Sequence, residues 1–256
     1  MNKGLKRFFI ICVIILGAGI ILTVAGYAMG GIKDANRLAS EYSWWEYRDT
    51  SNMTTMYLEE AEAFNSIEVS GTMDVNIVTG AEQTYISYNP GSCTPQLAVE
   101  GGILRVDSDY LDNGGVLDFG FTDNDIPMVW IYVPEGTVLN SIGGTMELGD
   151  VTITGVTVGS INIKADLGDI EVYNASVSKL TLDADLGDVQ IRMPFTEDQY
   201  TLTADVSLGE ISINERDYEA FDKHYVSGAG PNVINISVDT GDVDIEFGGI
   251  HSHDND

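Results

Sequence analysis

One short pattern is written five times in this chain, and no other feature of the sequence restricts its fold so closely. The copies Ile142–Ile153, Ile161–Val172 and Leu180–Ile191 begin 19 residues apart; Leu202–Ile213 begins 22 residues further on, and Ile234–Ile245 another 32. Inserted residues therefore fall between copies and never inside one. The aligned columns are chemically uniform. Ile142, Ile161, Leu180, Leu202 and Ile234 open the copies, and the glycine column Gly149, Gly168, Gly187, Gly209 and Gly241 is unbroken. Val151, Ile170, Val189, Ile211 and Val243 come two residues after the glycines, and Ile153, Val172, Ile191, Ile213 and Ile245 follow two residues later. A period near 20 residues with alternating apolar positions marks a β-solenoid, whose coils bury their apolar faces only by stacking. The expected fold is all-β, a single-stacked β-solenoid (β-helix) of short glycine-cornered rungs. In it Leu148, Leu167, Leu186, Leu208 and Thr240 form a column expected to point inward.

The N-terminus has a different character. Lys3, Lys6 and Arg7 precede an uncharged run from Phe8 to Met29, whose 22 residues at ~1.5 Å each cover ~33 Å, enough for a bilayer core. A cleavable signal peptide is the rival reading, but its apolar core is ~7–15 residues, and no clean cleavage site follows here. We read residues 1–31 as a cytoplasmic basic stub with one transmembrane helix. The first acidic residue is Asp34, so the positive-inside rule places the N-terminus in the cytoplasm and the rest of the chain outside. Among Gly17, Gly19, Gly26 and Gly30 only Gly26 and Gly30 have the close-packing spacing, and they lie at the end of the span, where they fit a loosened helix terminus.

All 40 acidic residues follow the span, and the whole chain carries a net charge of −28. This excludes nucleic acid as a partner, and an anionic surface would repel the outer part unless divalent cations bridged the two. Cys12 lies in the span and Cys93 outside it, so they cannot pair with each other, and the outer domain must rely on its core.

Residues 32–63 read as a juxtamembrane linker or cap with helical turns, from Leu38, Tyr42 and Trp45 and more weakly from Met53, Met56 and Tyr57. Trp44 and Trp45 suit either a membrane-interface belt or packing over the first rung, since an open solenoid end needs a cap. The solenoid domain spans residues 64–250. It opens with Ile67–Ile77, the same rung one residue shorter and lacking its glycine. Strands expected at Thr84–Tyr88, Gln96–Val99, Ile103–Asp107, Val116–Phe121 and Met128–Val133 would add two or three coils. The insertion Asn214–Asn232 holds Tyr218, Phe221 and Tyr225 in a partly helical pattern and reads as a variable surface loop. Residues 251–256 form an acidic tail.

Chemistry is sparse. No Gly-x-Ser-x-Gly, His-Glu-x-x-His, Cys-x-x-Cys or phosphate loop occurs. The histidines are His224, His251 and His253, and the tail pair is a weak metal motif. Cys93 has no acid–base partner evident in sequence. An acidic ladder remains: Asp150, Asp169, Asp188, Glu210 and Asp242 follow the glycines, and Glu147, Asp166, Asp185 and Asp239 stand three residues earlier, with Ser207 breaking that column. At ~4.8 Å between strands, two charges in water repel by only ~1 kcal/mol, so no cation is required. We read Gly-Asp as a corner, with the carboxylate accepting from local turn amides; a calcium row is the alternative. We therefore assign no catalytic, cofactor or metal residues.

The anchor ending in Gly30-Gly31, the strand Val129–Pro134, the serial Leu-Gly-Asp rungs and the closing run from Gly228 to Val243 resemble the bacterial putative adhesin family. The resemblance covers roughly residues 64–248. It implies a β-solenoid, commonly behind one span, exposed at the cell surface, and some members are associated with cell-envelope stress systems. It implies no ligand. The expected function is a noncatalytic, membrane-anchored interaction module whose partner is an envelope protein or polysaccharide. The alternative is a carbohydrate-active β-helix enzyme, which would need converging carboxylates beside the 214–232 insertion.

Overall fold

In each repeat the apolar alternation makes one long and one short strand, and the glycine turns the chain between them. The computed structural model describes residues 54–57, 63–89, 94–108, 126–214 and 216–248, all within the unit Ser51–Asp256. The long strands β8 (Val138–Leu148), β10 (Thr157–Leu167) and β12 (Ser176–Leu186) pair in parallel, with Ile142 opposite Ile161 and Ile161 opposite Leu180. The short strands β9 (Val151–Thr154), β11 (Ile170–Tyr173) and β13 (Val189–Met193) do the same through Val151, Ile170 and Val189. Equivalent residues thus stack rung on rung, as the repeat requires. Their inward side chains form one apolar core, in which Ile142, Ile161, Leu180 and Ile234 are completely buried.

Register follows the expectation, but rung order does not. β2 (Ser66–Thr72) and β3 (Asp74–Ala81) make the first rung, yet they lie between β8/β9 on one side and β6 (Ile103–Ser108) and β7 (Met128–Pro134) on the other. At the far end β16 (Asn232–Thr240) and β17 (Val243–Phe247) lie between β12/β13 and β14 (Tyr200–Ile213). The first and last rungs in sequence are therefore inserted one layer inside the stack. Parallel pairing of matching columns is satisfied by any repeat on any other, so periodicity alone leaves the order open.

Antiparallel strands finish both ends. β4 (Tyr85–Asn89) pairs with β7, β5 (Gln96–Glu100) with β6, and β1 (Thr54–Tyr57) with β4. Among the described residues, the expected strands before Ile142 thus contribute one parallel rung and flanking antiparallel strands in place of two or three coils. Met56 and Tyr57, expected in helical turns, lie in β1, where the free edge of β4 supplies partners for an extended backbone. The 214–232 insertion is likewise a strand, β15 (Arg216–Gly228), paired with β14 along its length from Ile213 opposite Arg216 to Thr201 opposite Gly228. Tyr225 lies opposite Ala204 and Tyr218 opposite Ile211, and their rings meet at 4.8 Å over the end of the core. The corner in β14 reverses side-chain parity. This is why two core-facing tyrosines seven residues apart imitate a helical spacing.

The leucine column also departs from expectation. Leu186 is 51% exposed, Leu208 49% and Leu167 42%, and Thr240 is exposed beside them. Leu167 keeps the parity of the buried Ile161, Ile163 and Ala165, but it ends its strand at the corner, and the four-residue β11 is too short to cover all of the 11-residue β10. Residues 8–29, Cys12, Trp44, Trp45, Cys93, Val116–Phe121, His251 and His253 lie outside the described residues. Among those described, no helix is long and apolar enough to cross a membrane.

Gly187 shows what the corner demands. Its φ is +150°, and a Cβ there would come 2.0 Å from the carbonyl oxygen of Gly168. Gly187→Ala should cost about 3 kcal/mol or more, whereas Gly136→Ala, at φ +81° in open space, should cost about 1–2 kcal/mol of backbone strain. Chemical unfolding of the two variants checks this. In the same assay Leu182→Asp, at 1% exposure, should lose several kcal/mol. Leu186→Asp should stay within about 0.5 kcal/mol of the parent.

Candidate functional site

At the corners, positive φ at glycine turns successive backbone amides toward alternate rungs. Gly168 N–H reaches up to Leu186 O and Ile170 N–H to Asp188 O, while Asp169 N–H points down and meets the Oδ1 of Asp150 at 2.9 Å. The same bond recurs at every step. Asp150 N–H donates to Asp74, Asp188 N–H to Asp169, Asp242 N–H to Asp188 and Glu210 N–H to Asp242, at 2.8–2.9 Å. The acidic ladder is therefore one chain of side-chain-to-backbone bonds running through five interfaces between rungs. The carboxylates do bond turn amides, as the Gly-Asp corner implies, but those of the neighbouring rung and not of their own turn, because the downward amide has no strand carbonyl to meet. Asp74, in the rung that lacks the corner glycine, heads the ladder and is 8% exposed.

Magnitudes favour this arrangement. A hydrogen bond to a charged group contributes about 1.5–3 kcal/mol, against ~1 kcal/mol or less of repulsion between neighbouring carboxylates facing water. Asp169 registers the balance. Burial raises its pKa above the ordinary carboxylate value, the charges of Asp150 and Asp188 add to the rise, and the Asp188 amide opposes it.

The outer acidic column, Glu147, Asp166, Asp185 and Asp239, stands solvent-exposed beside the exposed leucines. Lys164 bridges it, with Nζ 2.5 Å from Asp166 and 3.0 Å from Asp185. Those two bonds push the lysine pKa up. His224 Nδ1 contacts Asp205 Oδ1 at the surface, across the β14–β15 pair. Among the described residues no three His, Cys, Asp or Glu side chains gather as a metal site.

An aromatic group went unread in the sequence. Trp130 and Tyr132 alternate on the outward face of β7, and Tyr85 lies opposite Tyr132 on β4. Tyr132 stacks on Tyr85 at 4.3 Å and on Trp130 at 5.9 Å. Burial, then the Tyr85 hydroxyl, raises the Tyr132 pKa. The Trp-x-Tyr alternation was visible, but the contribution of Tyr85 depends on an antiparallel pairing that the repeat does not encode.

A family model described as Toastrack DUF4097 matches residues 64–192 and 145–246 of the chain. No curated protein matches it. Among solved structures it is similar to a putative cell adhesion protein from Clostridium sporogenes, at 18% identity and TM-score 0.58, covering 76% of this chain and 98% of that one. It is also similar to a putative adhesin from Bacteroides fragilis, at 14% identity and TM-score 0.36, covering 76% and 95%.

A raised carboxyl pKa means that the folded state holds the proton more tightly than the unfolded one. The penalty of ionised Asp169 is therefore present at neutral pH and relieved as pH falls through its folded pKa. Asp169→Asn keeps an acceptor and removes the charge, so thermal stability at pH ~7 should hold or rise, with the difference from the parent shrinking toward pH ~4. Asp188→Ala, which leaves the Asp242 amide without its acceptor, should cost about 1–3 kcal/mol. Millimolar calcium and magnesium should shift the melting temperature slightly and equally, as screening of an acidic domain requires. A large calcium-selective rise that Asp169→Asn abolishes would make the ladder a calcium row.

Proposed function

Because the chain belongs to the Toastrack DUF4097 family, we propose that it is a noncatalytic, surface-exposed interaction module. In this reading residues 8–29 anchor it in the plasma membrane as a single pass, with the N-terminus in the cytoplasm and the β-domain outside. The observation that carries the reading is the exposed stripe at the corners. Leu167, Leu186 and Leu208 stand 42–51% exposed in successive or near-successive rungs, beside a column of exposed carboxylates. A soluble domain seldom presents apolar side chains in a row unless something covers them. The description of the Clostridium sporogenes neighbour as a putative cell adhesion protein accords with this. So does the engagement of each ladder carboxylate that serves as an amide acceptor, since a glycosidase or lyase would need such groups turned to a substrate. The partner is an envelope protein or polysaccharide, and the link to envelope stress is carried only by the resemblance to the putative adhesin family.

Two measurements test it. Protease added to intact cells should digest the domain and leave an N-terminal tag protected; a soluble product beginning near residue 30 would remove the anchor. The triple variant Leu167→Ser, Leu186→Ser and Leu208→Ser should keep the parent melting temperature within a few degrees and lose cosedimentation with isolated cell envelopes. Unchanged cosedimentation would rule out the stripe as the contact surface.

A further inference from the structure

β16 and β17 come last among the described strands but hold an interior position. Both of their edges are paired in parallel, to β12 and β13 on one side and to β14 on the other. The walls of this slot carry the same columns as the rung inside it. Leu180 and Leu202 flank Ile234, Ala184 and Val206 flank Val238, Val189 and Ile211 flank Val243, and Ile191 and Ile213 flank Ile245. The occupant is almost entirely sequestered, with Ile234, Ile236, Val238, Val243 and Ile245 at 0–2% exposure.

The slot is also selective. At Gly241 a Cβ would lie 2.0 Å from Gly187 O, so the occupant must have glycine at the corner. Asp242 must follow, because its amide donates to Asp188 and its carboxylate accepts from Glu210. An apolar alternation with a Gly-Asp corner is what Ile142–Ile153, Ile161–Val172, Leu180–Ile191 and Ile234–Ile245 supply, whereas Leu202–Ile213 has Gly-Glu and the first rung Met-Asp in its place. β16 reaches the slot from β15 through the segment Gly228-Ala-Gly-Pro231.

We infer that this slot is a binding site for the C-terminal rung, Asn232–Phe247, of a second copy of the chain, so that two molecules join by exchanging rungs. The occupant is set by the columns just described. A rung from a partner makes the same ladders, the same core contacts and the same Asp242 bonds as the molecule's own, so exchange keeps every contact of the rung and alters those of the joining segment, where Gly230 N–H donates to Tyr200 O and Gly230 O accepts from Thr201 Oγ1. Its cost is the freedom lost on association, and its rate is set by opening of the two flanking ladders. The inference rests on rung order and is independent of the membrane reading.

The test uses the full chain with Cys12→Ser and Cys93→Ser. Thr181 on β12 lies opposite Asn235 on β16, and parallel neighbours at ~4.8 Å are within disulfide reach. Thr181→Cys and Asn235→Cys placed in one chain should close an internal disulfide. Placed in separate chains, mixed, held a few degrees below the melting temperature and then oxidised, they should give a covalent heterodimer whose yield rises with protein concentration. Asn162→Cys replaces Thr181→Cys as control, since β10 lies beyond β12 from the slot, and should give none. An internal disulfide without a heterodimer, no internal disulfide, or equal heterodimer with the control would each overturn the inference.

Discussion

Each rung must lie directly on the next, because the corner has no room for any other arrangement. At Gly187 the neighbouring carbonyl would sit 2.0 Å from a Cβ, and at Gly209 1.9 Å, so only glycine allows the backbones to approach. That contact locks the strand register on both sides of the turn. A one-residue slip would send every inward side chain outward and bring a Cβ onto the carbonyl. The apolar columns then pack like on like through the stack, and the core follows from the corner more than from any one side chain.

Turning the chain so sharply aims one amide per rung away from its strand partners, and the aspartate column satisfies it. Charge is used here to close a hydrogen-bond deficit, with six acidic side chains in succession from Asp74 to Glu210. Their repulsion is tolerable because each interface gains a bond to a charged acceptor. At Asp169 partial burial and the charges of Asp150 and Asp188 raise the pKa above the ordinary carboxylate value. The same turn leaves the leucines beyond the cover of the short strands, so the geometry that closes the backbone bonds also exposes the apolar stripe.

The ends of the stack are treated differently from its middle. A parallel rung always leaves two open edges, and here antiparallel strands close over them: β5 and β4 at one end, β15 at the other. Tyr218 and Tyr225 cover the core where it would otherwise stop. Insertion of the first and last rungs one layer inward keeps both of these rungs paired on both edges.

Sequence alone determined the repeat, its register, the corner glycines and every residue of the acidic ladder except Asp74 at its head, because each depends only on which residue types recur at which spacing. The columns Ile161, Ile170 and Val172 read as core and are core. Tertiary structure decided what periodicity leaves degenerate. Equivalent repeats can stack in any order, so Ile234 between Leu180 and Leu202 could not be read from a list of equal rungs. Parity could be followed along β10, but where the opposing layer ends could not, and so Leu167 and Leu186 were assigned to the core. The direction of the Asp169 carboxylate depended on amide orientation at a left-handed glycine, a property of backbone angles and not of composition. Tyr85 met Tyr132 only because an antiparallel return joined two strands that carry no repeat at all.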